Sequence, residues 1–544
     1  YTLTVSGSSY TIRDKGNNTL GFDSSGRLVS INDGKISANK VSISYVSSDA
    51  SNLRIDTVTD GSGRKYSYSY SGGQLASVSY LGAGSSALET VSYSYSDGNL
   101  TQVSFADGKT AEYSWSGHIM TAAKDIARSD GSRDTLTFSY IQNPAASTFP
   151  VRISSLAYTS CGTNISSLAF EYATNYTKVT DNTGRWMAYQ FNNNGNTTSV
   201  YNNEGQALYG RYAKDENSSG RANQLVASSR LQITDAWDDA VSVTTSDGET
   251  LSLVSHRNLI SNSNLSSGLS GWTGHGTGGN DGVSSTPGIV SSDNISALCI
   301  NGNSMTSKSY VYWIDHPGGK AGDVFTFGAW IKSASAPVNN KPDPNGSYSR
   351  GNCIALSFEK GGVWQFNKYV YTNDNCEDWQ FLSGSVTASK EYDTIYFHCI
   401  YAYNVNAAYF TGAQVFEEPF EAKYEYDSNG NVTKITDIDG RVTSYAYNSN
   451  NDVTSITMPG GGQYSYSYDS NRLLTETVSA TGVHTSYGYD AYGNSTSATI
   501  GGDGNKVIRS DTTYTSDGNM TASVTAGDRN TVTYTNDTDR SLVN

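Results

Sequence analysis

Charge is scarce in this chain. Asp, Glu, Lys and Arg make up 16% of its 544 residues, against about a quarter in ordinary soluble proteins. The formal net charge is −15, and the Lys and Arg residues are scattered rather than gathered into a stripe. That excludes the electrostatic footprint of a nucleic-acid binder. No apolar run approaches the roughly 18 residues that cross a bilayer as a helix, so no membrane span is expected. The chain opens at Tyr1 with neither a methionine nor a signal-like segment, and it reads as a mature piece of something longer.

Groups that carry chemistry are also few. The histidines His118, His256, His275, His316, His398 and His484 show no H-E-x-x-H or other ligand spacing, and no G-x-S-x-G elbow is present. The acidic pairs Asp238/Asp239 and Glu417/Glu418 read as solvated edges rather than a glycosidase pair. No catalytic residue, metal site or cofactor is therefore expected, and a structural calcium in the middle of the chain has nothing to support it. Five cysteines are present. Cys161 stands alone, while Cys299, Cys353, Cys376 and Cys399 fall close together without zinc spacing, which leaves either disulfides in an oxidising compartment or buried thiols.

Aromatics, in contrast, are plentiful: 40 residues are Tyr. Disordered chains of low hydrophobicity lack such rings, so ordered polar β-structure is expected. Four tyrosine pairs recur at a 21-residue step, Tyr424/Tyr426, Tyr445/Tyr447, Tyr466/Tyr468 and Tyr487/Tyr489. Residues two apart project from one face of a strand. After the first pair, Asp427 to Gly430 supplies a tight turn, Val432 to Thr436 a return strand, and Asp437 to Gly440 a second turn. Each period predicts a β-hairpin, and each hairpin predicts a neighbour. Looser copies occur upstream, at Tyr93/Tyr95, Tyr113/Trp115, Phe138/Tyr140 and Tyr189/Phe191. Because Trp and Phe replace Tyr there, a flat ring is expected to matter more than a hydroxyl.

The pattern stops between about Arg257 and Glu417. This stretch holds the four clustered cysteines and Trp272, Trp313, Trp330, Trp364 and Trp379. Segments such as 324–331, 354–358, 381–386 and 394–398 alternate with period two, which predicts a β-sandwich with its own core. The expected organisation is a hairpin-repeat region at 1–257, an inserted β-sandwich at 258–417, and a second repeat region at 418–544. Gly274 to Gly279 fits the G-x-G-x-x-G pattern but precedes no helix, so it reads as a loop. Asp427 to Gly430 and Asp437 to Gly440 resemble fragments of a calcium loop but lack its twelfth-position acid, and read as turns.

The Tyr-x-Tyr-Asp-x-x-Gly-Asn unit followed by Asp-Gly-Arg resembles the YD-repeat (RHS) family of bacterial wall-associated proteins, toxin-complex shells and teneurins. The likeness covers roughly residues 15–235 and 420–544. The insert, opening Asn258-Leu-Ile-Ser-Asn262 and Gly268-Leu-Ser-Gly-Trp272, is similar to carbohydrate-binding jelly-roll modules that interrupt wall-associated members. The resemblance implies an all-β fold in which hairpins wind into a spiralling sheet or hollow shell. An Asp-Pro-x-Gly-like core signature is absent before Asn544, and the irregular step from Tyr70 to Tyr95 departs from a uniform spiral.

The expected role is a non-enzymatic extracellular or wall-attached scaffold whose partners are cell-surface glycans. A toxin-enclosing shell segment and a self-associating fibre or adhesin are the alternatives. Trp272, Tyr310, Tyr312, Trp313 and Trp364 are the candidate glycan platform, since a sugar ring stacks on an exposed aromatic face. Trp330 and Trp379, beside strongly apolar strand positions, are expected in the core.

Overall fold

The computed structural model describes residues 1–544 except 48–53, 83, 143–150, 204–205, 217–218, 234–239, 245–247, 249, 253–257, 289–293, 334–347, 373–378, 418–420, 502–506, 517, 519, 528–529, 538–541 and 544. Among the described residues the repeats build one 33-stranded sheet, and the insert builds two five-stranded sheets.

The two turns of each repeat share one geometry. In the first, the Gly430 amide donates to the Asp427 carbonyl, and the Asp427 amide to the Asn431 carbonyl, both at 3.0 Å. Gly430 sits at φ 79°, where a side chain is strained. The Asp427 carboxylate then accepts from the amide and the side chain of Asn431, both at 2.8 Å. Asp437 does the same for Arg441, at 2.8 Å to its amide and 2.9 Å to its Nε. Asp-x-x-Gly-Asn and Asp-x-x-Gly-Arg are thus one turn with two different partners four residues on, and the calcium-like fragments serve as these turns.

A β-bulge follows each aromatic turn. Register shifts between Glu425 and Tyr426, Ala446 and Tyr447, Ser467 and Tyr468, and Gly488 and Tyr489. A bulge re-aims the side chain beside it. Here it sends the second ring of each pair back over the preceding hairpin. The hydroxyls of Tyr447, Tyr468 and Tyr489 donate to the carbonyls of Val432, Val453 and Leu474, at 2.7 to 2.8 Å. Tyr45, Tyr70 and Tyr212 repeat the contact on Leu28, Ile55 and Thr197. Trp115 substitutes its indole N–H, 2.6 Å from the Leu100 carbonyl. The expected flat ring is joined by a donor at its far end where Tyr or Trp stands, whereas Phe191 fills the same bulged position with a ring alone.

The sheet runs past the insert without a break. Leu225–Ile233 pairs with Gln206–Tyr212 on one side. On its other side Ala227 and Ser228 meet Lys423 and Ala422, where the repeats resume. The Tyr426 hydroxyl completes the usual clamp on the Leu225 carbonyl at 2.5 Å, although 201 residues separate them. Beside this junction Arg211 and Glu421, both buried, form a two-pronged ion pair at 2.6 and 3.0 Å. After 21 strands, eighteen before the insert and three after it, the sheet returns to its own start: the turn at Asn448–Asp452 touches the turn at Asp14–Asn18.

In the insert, one sheet has the order Trp272–His275, Ser307–Ile314, Thr394–Ala402, Gly351–Lys360, Val363–Tyr371. The other has Gly282–Pro287, Asn294–Asn301, Ala407–Glu417, Val324–Ser333, Gln380–Thr387. Between them lies a core that includes Phe325, Phe327, Leu356, Phe358, Phe397 and Phe410. The second sheet also buries its outer face, against the repeats: Trp330, Trp379 and Phe381 cluster with Ala173, Tyr176, Ala188, Tyr201 and Tyr209. The Trp330 ring stands edge-on to Tyr176 at 4.9 Å. Thr174 and Gln380 form a parallel bridge, with the Thr174 amide on the Trp379 carbonyl at 2.8 Å.

One expectation changes as a result. Val324–Ser333 is buried along almost its whole length rather than alternating, because both of its faces are covered. The sandwich has a core made only of its own residues, and a second buried cluster joins it to residues 173–209. Of the two alternatives for the cysteines, the described ones are thiols: Cys299, Cys353 and Cys399 are buried and free, and Cys161 is exposed and free. Cys299 lies on a different sheet from the other two, and Cys353 and Cys399 point to opposite faces of theirs. Cys376 falls outside the described residues, as do Asp238, Asp239 and Glu418.

Replacing Tyr468 by Phe should cost about 1 kcal/mol in urea unfolding, the net value of a hydrogen bond, because its ring stays and its donor goes. The same change at Tyr466 should cost much less. Trp330→Ala should cost about 3 to 5 kcal/mol and lower a single melting transition shared by insert and repeats in calorimetry; two separate transitions would show that the sandwich melts alone.

Candidate functional site

The sheet of the insert that faces away from the repeats presents its outer side to solvent. Alternation along Ser307–Ile314 turns Tyr310, Tyr312 and Ile314 inward and Ser309, Val311 and Trp313 outward. Along Thr394–Ala402, Ile395, Phe397, Cys399 and Tyr401 go inward, leaving Tyr396 and His398 on the outer side. The register sets these residues in rows. Trp313 is opposite Tyr396, and Tyr396 opposite Ser357. His398 is opposite Ala355, and Ala355 opposite Tyr369. Cys353 is opposite Tyr371, and a bulge brings Trp364 beside Glu359. The face therefore has aromatic walls, Trp313 and Tyr396 on one flank and Trp364, Tyr369 and Tyr371 on the other. Its floor is made of the small side chains Ala355 and Ser357.

Of the five platform residues, the structure leaves two exposed: Trp313 at 57% and Trp364 at 58%. Trp272, Tyr310 and Tyr312 are buried, which corrects their place in the platform. Trp272 stands edge-on to Tyr312 at 5.2 Å and to Phe397 at 6.2 Å, and its indole N–H reaches the Asn262 carbonyl at 3.3 Å. Gly271, just before Trp272 and at φ 82°, lets the chain pass so near Tyr312 that a Cβ there would stand 2.5 Å from its ring. Tyr396, Tyr369, Tyr371 and Ser357 were missed. The period-two alternation of 394–401 held the signal for Tyr396, whereas its neighbours across the face depend on the register.

The floor is polar and partly dry. Ser357 Oγ lies 2.7 Å from His398 Nε2. Burial, with nearby His275 adding to it, lowers the His398 pKa to about 4, so the ring is neutral at physiological pH. Burial raises the Tyr396 hydroxyl, helped by Glu359 and Asp393, and it pushes the Cys353 thiol up to about 12. Ser357 sits in mid-strand between two paired neighbours, so the amides around it serve the ladder and form no oxyanion hole. Among the described residues no group of three or more His, Cys, Asp or Glu is placed to hold a metal ion. The Gly-rich segment 274–279 begins as the end of a strand and leads to no helix. This face can stack on rings and hydrogen-bond to hydroxyls.

Residues 426–463 and 447–484 match the RHS repeat family model. Residues 426–484 carry RHS repeats. No curated protein matches it in sequence. Among solved structures it is similar to a family 16 carbohydrate-binding module, at 15% identity and a TM-score of 0.22, over 29% of this chain and 99% of that one. It is similar to the CBM22-1 xylan-binding domain from Paenibacillus barcinonensis Xyn10C, at 14% identity and a TM-score of 0.22, over 30% of this chain and 97% of that one. A TcdB2-TccC3 structure aligns with 91% of this chain at 9% identity and a TM-score of 0.21. The chain spans about a third of that structure's length, 33%.

The second rings Tyr426, Tyr447, Tyr468 and Tyr489 are committed to their backbone clamps, while the exposed Trp313 and Trp364 of the insert present their rings to solvent. Among the described residues no helix is long and apolar enough to cross a membrane.

The low pKa of His398 has a consequence for stability. The unfolded histidine takes up a proton near pH 6.5 and the folded one only near pH 4, so stability falls as pH drops through this window and levels off below it. Urea unfolding at pH 7 and pH 4.5 should show a smaller acid loss for His398→Gln than for the parent. Equal losses would place the acid sensitivity elsewhere.

Proposed function

We propose that this chain is an extracellular or wall-attached, non-enzymatic RHS scaffold that holds a glycan-binding sandwich rigidly against its repeats, with the outer aromatic face of the insert as the binding surface. One observation carries the reading. Trp313 and Trp364 are more than half exposed on a sheet whose other large rings are mostly buried, and they stand on opposite flanks of a floor of small residues. Across the strands three spacings separate them, about 14 Å, and Trp364 is offset along the strand by two residues from the row of Trp313. Aromatic side chains cost free energy when wetted, so two of them beside a flat polar floor suit a ligand with alternating apolar faces and hydroxyls, as a sugar chain has.

Docking on the repeats supports display of this kind: the opposite sheet is the one buried against residues 173–209, which leaves the aromatic face outward. A second reading, a shell segment of a toxin-delivery protein, is favoured by the sheet's return to its own start after 21 strands. In that reading the repeats enclose a cargo and the insert addresses the shell to a surface.

The test is a glycan array probed with the whole chain, followed by titration of the hits. Trp313→Ala and Trp364→Ala should each weaken binding about tenfold, equivalent to about 1.4 kcal/mol, with an unchanged circular-dichroism spectrum. No binding by the parent chain at millimolar sugar would remove the glycan reading.

A further inference from the structure

The last turn residue before the return strand recurs at the 21-residue step as Gly430, Asn451, Arg472 and Gly493, with φ of 79°, 65°, 65° and 82°. Glycine enters this left-handed region freely and asparagine with little strain, but arginine is crowded there by its own Cβ. Strain of this kind persists where the surroundings over-determine it.

The surroundings of Arg472 come from two windings of the sheet. It is 9% exposed. Its Nε and Nη2 hold the Asp452 carboxylate at 3.1 and 2.5 Å, and Nη2 also donates to the Asn450 carbonyl at 3.1 Å. Its Nη1 donates to the Gly16 carbonyl, 456 residues away. The neighbouring periods make matching contacts. Asn451 Nδ2 donates to the Lys15 carbonyl at 3.2 Å, and Asn39 Nδ2 to the Tyr492 carbonyl at 3.0 Å. Gly493 lies beneath Ile36, where an added Cβ would come within 3.2 Å.

All of these are contacts between turn tips. Strand pairing joins each strand to its neighbours within a winding, and among the described residues none joins 1–65 to 448–518. Between the tips a cavity of about 260 Å³ is lined by Asn39, Asp60, Arg64, Tyr492 and Asn494, among others. Along this line, among the described residues, contacts between turn tips take the place of strand pairing.

We propose that Arg472 is a latch that closes the spiral on itself, and that the row of turn tips is a seam able to part while every strand ladder stays intact. Parting the seam breaks side-chain contacts to a few carbonyls and relieves the backbone of Arg472. It leaves the tyrosine clamps untouched, because these lie within a winding. The seam is a built-in gate in the repeat sheet, independent of what the insert binds.

Pulsed electron paramagnetic resonance on the full chain tests this. Spin labels at Ser25→Cys and Gly460→Cys, in a Cys161→Ser background, lie in exposed turns on either side of the seam. The parent should give one narrow distance distribution. Arg472→Gly keeps the left-handed turn without strain and removes the latch, so its distribution should broaden and move to longer distances while circular dichroism stays unchanged. A Lys15→Cys/Asn451→Cys cross-link should restore the narrow distribution. Should Arg472→Gly disturb the spectrum, Asp452→Asn, which loosens the guanidinium without touching the backbone, decides in its place. A variant that keeps its fold and the parent's distance distribution overturns the proposal.

Discussion

A donor at the far end of an aromatic ring, held against a carbonyl of the preceding hairpin, is the contact on which the long sheet depends. Single-layer sheets have little apolar surface to bury, and in the repeats most side chains are only half covered. The clamp supplies what a core would otherwise supply. It links each hairpin to the one before it, and it is directional, so it sets register as well as adhesion. The Asp turn and the bulge accompany it: the turn reverses the chain tightly, and the return strand carries one extra residue beside the partner of the second ring. Where Trp115 replaces tyrosine the acceptor stays at the same place in the repeat, while Phe191 fills the same bulged position with a ring and no donor, so the ring is the constant and Tyr and Trp add the hydrogen bond to it.

The insert obeys a different economy. Its two sheets bury large side chains between them, and one sheet buries its second face on the repeats as well. This asymmetry orients the module. One face becomes an interface and the other is left to solvent, so the exposed tryptophans point outward from the scaffold. The junction reinforces that orientation, since the repeat sheet closes over the point of insertion and the buried Arg211–Glu421 pair sits beside it. A sandwich hung on a flexible tether would lack any such preferred direction.

Much of the repeat fold was legible from the chain because its determinants are local. Tyr424, Tyr426, Asp427 and Gly430 lie within seven consecutive positions, and turn chemistry acts over that distance. The candidate site was less legible. Trp313 and Tyr312 are neighbours in the chain and looked equally suitable, yet Trp313 is exposed and Tyr312 buried. Trp272 was misread because the close approach of Gly271 to Tyr312 depends on residues 41 positions apart in the chain. Tyr369 and Ser357 enter the face only through cross-strand register. Cysteine spacing likewise says nothing of which sheet, or which side of a sheet, each thiol occupies.

The chain by itself determined the hairpin, its turns, its aromatic period and the existence of an insert, since each follows from residues within one or two turns of one another. Tertiary structure decided the rest: that the ring's donor is used, that the insert docks on one face, that three of five candidate aromatics are core, and that the sheet returns to meet itself at Arg472. The physical reason is range. Propensities and turn bonds act between neighbours, whereas burial and long-range hydrogen bonds are settled only when the windings and sheets have been brought together.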